Sequence, residues 1–149
     1  MSQDDAPFSW PVRVYWEDTD AGGVVFYANY LKFFERARTE WLRNLGQSQQ
    51  ALREQTGAIF IVSHTEVRHL APARLDDKLR ITVALTDCGR ASMTFAQQAW
   101  CGSRLLAEGT IRVGCVDASS WRPQRIPALV WALIAPHTSP SAPSPPEAP

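Results

Sequence analysis

One helical stripe constrains what this chain can fold into. Between Asn29 and Gly46, Tyr30, Phe34, Ala37, Trp41 and Leu45 recur at helical spacing. Leu31, Phe33 and Leu42 widen that stripe beyond the apolar face of a surface helix, so this helix has to be buried deeply. Asn29 suits the N-cap and Gly46 the C′ position, which bounds roughly four turns. On the exposed side Arg36 and Glu40 stand at i,i+4, a pairing that contributes about 0.2–0.5 kcal/mol. A shorter helix covers Ser48 to Gln55 and stops at Gly57. From Ala58 onward the period changes. Leu79, Ile81, Val83 and Leu85 alternate with Arg80, Thr82, Ala84 and Thr86, the pattern of a half-buried strand. A sheet with one apolar face and one long apolar helix have only each other to cover. The expected class is therefore α+β, an antiparallel sheet wrapped around one long central helix.

The remaining elements follow from period and turn residues. Val12 to Trp16 reads as a first strand, and Ala58 to Leu70 as a second that ends at Ala71-Pro72-Ala73. Cys88-Gly89-Arg90 forms a hairpin turn into a strand at Ser92 to Cys101. Gly102-Ser103 turns again into a long last strand from Arg104 to Asp117. The expected order is one strand, one long helix and an antiparallel meander of four strands. Ala128 to Ala135 makes a final apolar helical turn or two, with Trp131 available to pack. Six of the eleven prolines fall in 136–149, a composition that cannot offset its own ordering entropy, so that tail is expected to be disordered. Residues 1–9 are expected to be flexible, and 10–135 to form one domain.

Composition narrows the function. Fifteen basic and fifteen acidic side chains cancel, leaving no global field to attract nucleic acid or acidic membranes. Any polyanionic ligand needs a local patch. Three cysteines, Cys88, Cys101 and Cys115, lack C-x-x-C spacing; they read as buried thiols in a reducing compartment, without a disulfide framework or zinc site. The acidic start, Met-Ser-Gln-Asp-Asp, precedes no apolar run, and no apolar stretch approaches the ~20 residues that span a bilayer. A cytoplasmic protein is expected.

The chemistry concentrates between Tyr15 and Tyr30. Asp20 lies in a glycine-containing connection just ahead of the long helix, where free N–H groups cluster. A carboxylate there can act as base toward water, or attack a carbonyl itself. It is weak in either role and needs an activated substrate such as a thioester. The plainer reading is that Asp20 caps a turn, since Asp before Gly is common in loops. Gly22 and Gly23 permit positive φ and close approach of a ligand to the backbone, and are equally compatible with a plain turn. The N–H groups around Phe26, Tyr27 and Ala28 can polarise a carbonyl. Asp18 is read as structural, accepting N–H bonds inside the loop. Val25, Phe26, Tyr27 and Tyr30 can line an acyl pocket, although core packing accounts for most of the aromatic set. Arg90, with Arg68 or Arg74, can supply a phosphate patch. His64 and His69 stand five apart on one strand, hence on opposite faces, which disfavours a two-histidine metal site. They are read as surface or interface residues, with a place at the site as the lesser alternative.

The run Glu17-Asp18-Thr19-Asp20-Ala21-Gly22-Gly23-Val24-Val25, continued by Tyr27-Ala28-Asn29-Tyr30 and Phe34-Glu35-Arg36-Ala37-Arg38-Thr39-Glu40, strongly resembles hotdog-fold acyl-CoA thioesterases. Within the 4-hydroxybenzoyl-CoA thioesterase-like group, the tol-pal-associated (YbgC-like) branch is the best match, and Ala71-Pro72-Ala73-Arg74-Leu75-Asp76-Asp77 is similar to it as well. The resemblance spans Trp10 to Pro127. It implies a hotdog fold, a homodimer joined edge to edge with sites at the interface, and often a tetramer. It places Asp20 at the catalytic carboxylate and the Tyr27 backbone N–H at the carbonyl donor. It implies acyl-CoA as substrate, acyl carrier protein as an alternative carrier, and no metal or cofactor. Tyr27 departs from many members of the branch, which carry histidine there. Two rival readings are a hotdog dehydratase and a non-catalytic acyl-thioester or carrier-protein binding module. Dehydratase chemistry usually pairs a histidine with a helix carboxylate, and no histidine lies between Met1 and Ile61.

Overall fold

The computed structural model describes residues 7–139; the expectations for 1–6 and 140–149 lie outside the described residues. In chain order the elements are β1 (Phe8–Arg13), α1 (Asn29–Asn44), α2 (Gln49–Thr56), β2 (Ala58–His69), β3 (Lys78–Cys88), β4 (Ser92–Cys101), β5 (Arg104–Asp117) and α3 (Ala128–Ile134). The strands form one antiparallel sheet in the order β1-β3-β4-β5-β2. Its inner face packs on α1, whose Tyr30, Phe33, Phe34, Ala37, Trp41 and Leu42 are all buried. Trp41 meets Phe95 of β4 edge-on, with ring centroids 5.4 Å apart. Full burial of Phe33 and of Phe34 stabilises the fold by about 1.5–3 kcal/mol each. The expected sheet-around-helix architecture is what forms.

Several expectations need correction. The first strand is Phe8–Arg13, not Val12 to Trp16, because Asp18 accepts the Tyr15 N–H (2.8 Å) and coils Trp16–Asp18 into a 3-10 turn. Pro11 is tolerated because β1 is a sheet edge. The strands after α1 are not a four-strand meander: only β3, β4 and β5 run consecutively, and β2 pairs with β5. The link from Leu70 to Asp77 is bound to the loop before α1, through Val25 N–H to Ala73 O and Val14 N–H to Asp77 O (2.9 Å each). β1 then occupies the free edge of β3. Ala28 occupies the N-cap of α1, and the Asn29 amide instead donates to Asp18 O (2.9 Å). Glu40 pairs with Arg43, not with Arg36, which lies over the Phe33 ring. Phe8 and Ser9 belong to β1, and 136–139 are ordered by a 3-10 turn and by the Ser139 N–H to Leu85 O bond. None of the three cysteines is disulfide-bonded; Cys115 is buried, whereas Cys88 and Cys101 are half-buried.

The helix and the sheet are tied together by a buried polar group. The β3–β4 ladder pairs Ile81 with Ala99 and Ala84 with Ala96, and opens between those pairs. Into the opening Gln97, 1% exposed, sends its amide. Its Nε2 donates to Thr82 O (3.3 Å) and to Phe34 O of α1 (3.0 Å), while its Oε1 accepts from Arg38 (2.8 Å). The Thr82 hydroxyl takes the Gln98 N–H (3.0 Å), so the opened ladder is re-satisfied by side chains. Burial pulls the Arg38 guanidinium below its usual value, an effect opposed by Glu35. Gln97→Leu removes three hydrogen bonds and takes this partner from Thr82 O and the Arg38 guanidinium, while Phe34 O keeps its place in the helix. It is expected to cost about 1–3 kcal/mol for each group left unpaired and buried, read as a lower urea midpoint. An unchanged midpoint would show that the amide is dispensable.

Candidate active site

Everything the sequence singled out near Asp20 lies at one end of the sheet. Thr19 bridges Val25 and Val24 bridges Arg74, so the loop is a narrow hairpin clipped to the segment before β3. Asp18, 5% exposed, is its buried anchor. The Asp18 carboxylate takes the Tyr15 N–H, and its carbonyl takes the Phe26 N–H (2.9 Å) as well as the Asn29 amide. The structural role expected of Asp18 is the one it has. Gly23 sits at φ 81 and lets the hairpin close with Gly23 N–H on Asp20 O (3.0 Å).

Asp20 is exposed at the tip of this hairpin. Its Oδ1 accepts the Gly22 N–H at 2.8 Å, so one oxygen serves the turn. A Cβ on Gly22 would come within 3.1 Å of that oxygen. The turn reading of Asp20 has the bond from Gly22 N–H as its geometric basis. Helical bonding begins with Asn29 N–H to Phe26 O (2.8 Å) and Leu31 N–H to Ala28 O (3.1 Å). The Tyr27 and Ala28 N–H groups precede these turns and belong to the orphan donors of the helix start.

Beside them opens a cleft of about 310 Å³ lined by Val25, Tyr27, Tyr30, His69, Leu70, Ala71 and Pro72. It brings together Val25, Tyr27 and Tyr30 of the expected set. Phe26 packs on Tyr27 (centroids 4.8 Å apart) and is itself exposed. Asp20, Gly22 and Gly23 do not line the cleft. Burial pushes the Tyr30 phenol above its ordinary value, partly opposed by a hydrogen bond from the Ala73 backbone and reinforced by Asp77. His69 takes the lesser of its two readings: it lines the cleft, edge-on to Tyr30 (5.4 Å) and Tyr27 (6.2 Å). Its signal was parity, since His69 shares the inner face with Val67.

The arginines separate. Arg90 follows the far end of β3, roughly 35 Å of strand from Lys78, so one chain does not bring it to the Asp20 loop. Arg68 pairs with Glu108 (3.2 Å). Arg74 is the arginine whose backbone bridges the loop. Among the described residues no group of three or more His, Cys, Asp or Glu could hold a metal ion, and no helix is long and apolar enough to cross a membrane.

A hairpin-borne carboxylate, orphan N–H groups at the start of a sheet-wrapped helix and an adjoining aromatic cleft lie together at one end of a hotdog fold. A family model described as the thioesterase-like superfamily matches residues 14–138, and the chain belongs to that superfamily. The acyl-CoA thioesterase YbgC of Haemophilus influenzae is 43% identical over 130 residues, covering 87% of this chain and 96% of that one. The acyl-CoA thioester hydrolase YbgC of Escherichia coli O6:H1 is 47% identical, covering 84% and 93%. A solved structure of a probable thioesterase from Bartonella henselae superposes with TM-score 0.77 at 31% identity, covering 82% of this chain and all of the other.

The two aspartates of the loop should separate cleanly. Asp18→Ala leaves the Tyr15 N–H without its partner and is expected to cost about 1–3 kcal/mol, whereas a change of exposed Asp20 to Asn should stay within about 0.5 kcal/mol. Thermal unfolding of both variants tests this; equal shifts would mean that Asp18 does not anchor the hairpin.

Proposed function

We propose that this chain is an acyl-CoA thioesterase, converting R–CO–S–CoA and water into a carboxylic acid and free CoA. The observation that carries the reading is the Asp20 hairpin clipped beside the orphan N–H groups of α1, in a chain 43% and 47% identical to two YbgC thioesterases. Asp20 activates water or attacks the carbonyl through its second oxygen. The Tyr27 N–H takes the negative charge that develops on the carbonyl oxygen, a donor of the kind worth about 3–4 kcal/mol in the transition state. Gly22 and Gly23 let the thioester approach the backbone. Val25, Phe26 and Tyr30 hold the acyl group, and Arg74, carried on the segment that bridges the loop, is the cation for CoA phosphates. Acyl carrier protein is the alternative carrier, and the setting is cytoplasmic, in association with a tol-pal envelope system.

The working unit is a homodimer, with a tetramer as the higher assembly. β2 is a twelve-residue edge strand whose Ile61 and Val62 are 38% and 49% exposed. Such an edge is a template for pairing, and a second copy would cover the open side of the site.

Asp20→Asn is expected to lower thiol release by about 10²–10⁴-fold with unfolding and assembly unchanged. Free thiol is followed with short, long and aromatic acyl-CoAs; full activity in the variant sinks the assignment of Asp20. Acyl-CoA binding without any thiol release by the wild type would favour a binding module. Val62→Lys places a charge on the β2 edge and should shift sedimentation toward monomer, with loss of activity. A dimer that persists would place the interface elsewhere.

A further inference from the structure

We propose that His69 is the proton donor to the departing sulfur, a role that rests on the thioesterase reading and goes beyond it. Of the side chains lining the cleft, only Tyr27, Tyr30 and His69 carry a titratable proton. Phenols ordinarily hold theirs to about pH 10, and burial pushes the Tyr30 phenol higher still. Imidazole is the side chain built to give and regain a proton near neutrality. His64 of the same strand lies on the outer face, opposite Arg112, and His137 lies in the turn after α3. His69 is the histidine at the cleft.

Its backbone is held at the end of the strand. His69 is the last residue of β2, paired with Ala107, and the next two N–H groups, of Leu70 and Ala71, both donate to Leu106 O (2.8 and 3.1 Å). Tyr30 and Tyr27 meet the ring edge-on at 5.4 and 6.2 Å. Ring–ring contacts orient an imidazole and leave its nitrogens for other partners. Asp20 stands on the hairpin tip outside the cleft, so base and acid are different groups on different elements.

The step balances. Water attacks the thioester carbon, its proton passes to Asp20, and the oxyanion is held at the Tyr27 N–H. On collapse the C–S bond breaks and its electron pair leaves on sulfur. Imidazolium His69 gives its proton to that sulfur, yielding the thiol. The neutral imidazole regains a proton through solvent as Asp20 releases the one it took.

The test exploits the leaving group. An alkyl thiolate such as that of CoA is a poor leaving group and gains from protonation, whereas an aryl thiolate departs unaided. His69→Gln and His69→Phe, the latter keeping a ring against both tyrosines, are compared with wild type on an acyl-CoA and on the aryl thioester of the same acid, at enzyme concentrations that turn over both. Expected is a loss of roughly 100-fold in kcat on the acyl-CoA, little change in KM, and near-wild-type kcat on the aryl thioester. Equal losses on both esters, or none on either, would overturn the proposal and leave His69 a packing residue. Wild type that releases no thiol would overturn the thioesterase reading itself.

Discussion

The amide of Gln97 satisfies backbone groups on two layers that have no other way to reach each other. A helix carbonyl, Phe34 O, and a strand carbonyl, Thr82 O, both accept from one nitrogen inside the core. An unpaired polar group at that depth is costly, so the contact fixes where α1 sits against the sheet as well as holding it there. The same approach is tight next door. A Cβ on Gly109 of β5 would fall 3.0 Å from the Phe34 ring, so glycine there sets how closely helix and sheet can come. The helix start, with its orphan N–H groups, is placed by these contacts about one and a half turns along α1.

From that placement the site follows by backbone bonding. β1 and β3 pair, so the loop leaving β1 and the segment entering β3 emerge at one end of the sheet. Val14, Val25, Asp76 and Asp77 then bond the two together. β2 finishes at the same end, because its last residues pair with the start of β5. A buried carboxylate, Asp18, closes the hairpin, and an exposed one, Asp20, is displayed on it. Two aspartates two residues apart stand in opposite environments, one buried and one exposed.

Local pattern made much of this legible. The wide stripe of α1, the alternation of β3 and the glycine boundaries of α2 are written in spacing, and the Asp20 motif is specific enough to point to its family. Strand partners were not legible. β2 lies beside β5, and not beside β3, because β1 from the other end of the chain already occupies that edge, and no local spacing carries that competition. The place of His69 is hard to read from spacing for a related reason. Between Val62 and His64 the β2–β5 register shifts, so the parity that places Phe60 inward does not extend past Ser63. The end of the strand then has to be read from Val67 onward. Arg90 lies at the opposite end of the sheet from the Asp20 loop, and a turn residue says nothing of which end of the sheet its turn occupies.

In a single chain the proposed site stands open to water, and dielectric weighs on it as much as shape. Asp20 and Tyr27 both face water, where a carboxylate is a poor base and an N–H competes with solvent for the oxyanion. Excluding that water needs a cover, and the β2 edge is where the proposed dimer supplies one. Antiparallel pairing of two identical edges sets the beginning of one strand beside the end of the other. The partner's β2 would therefore begin where this chain's β2 ends, at His69 and the cleft. The segment brought over the cleft would then be the α2–β2 junction, where Ile59 and Phe60 are half-buried in the single chain. An apolar junction laid across aromatic walls would dry the carbonyl site while leaving the Asp20 hairpin open to water. Assembly and catalysis would then share one surface, so a variant that weakens the edge should lose activity in proportion to its loss of dimer.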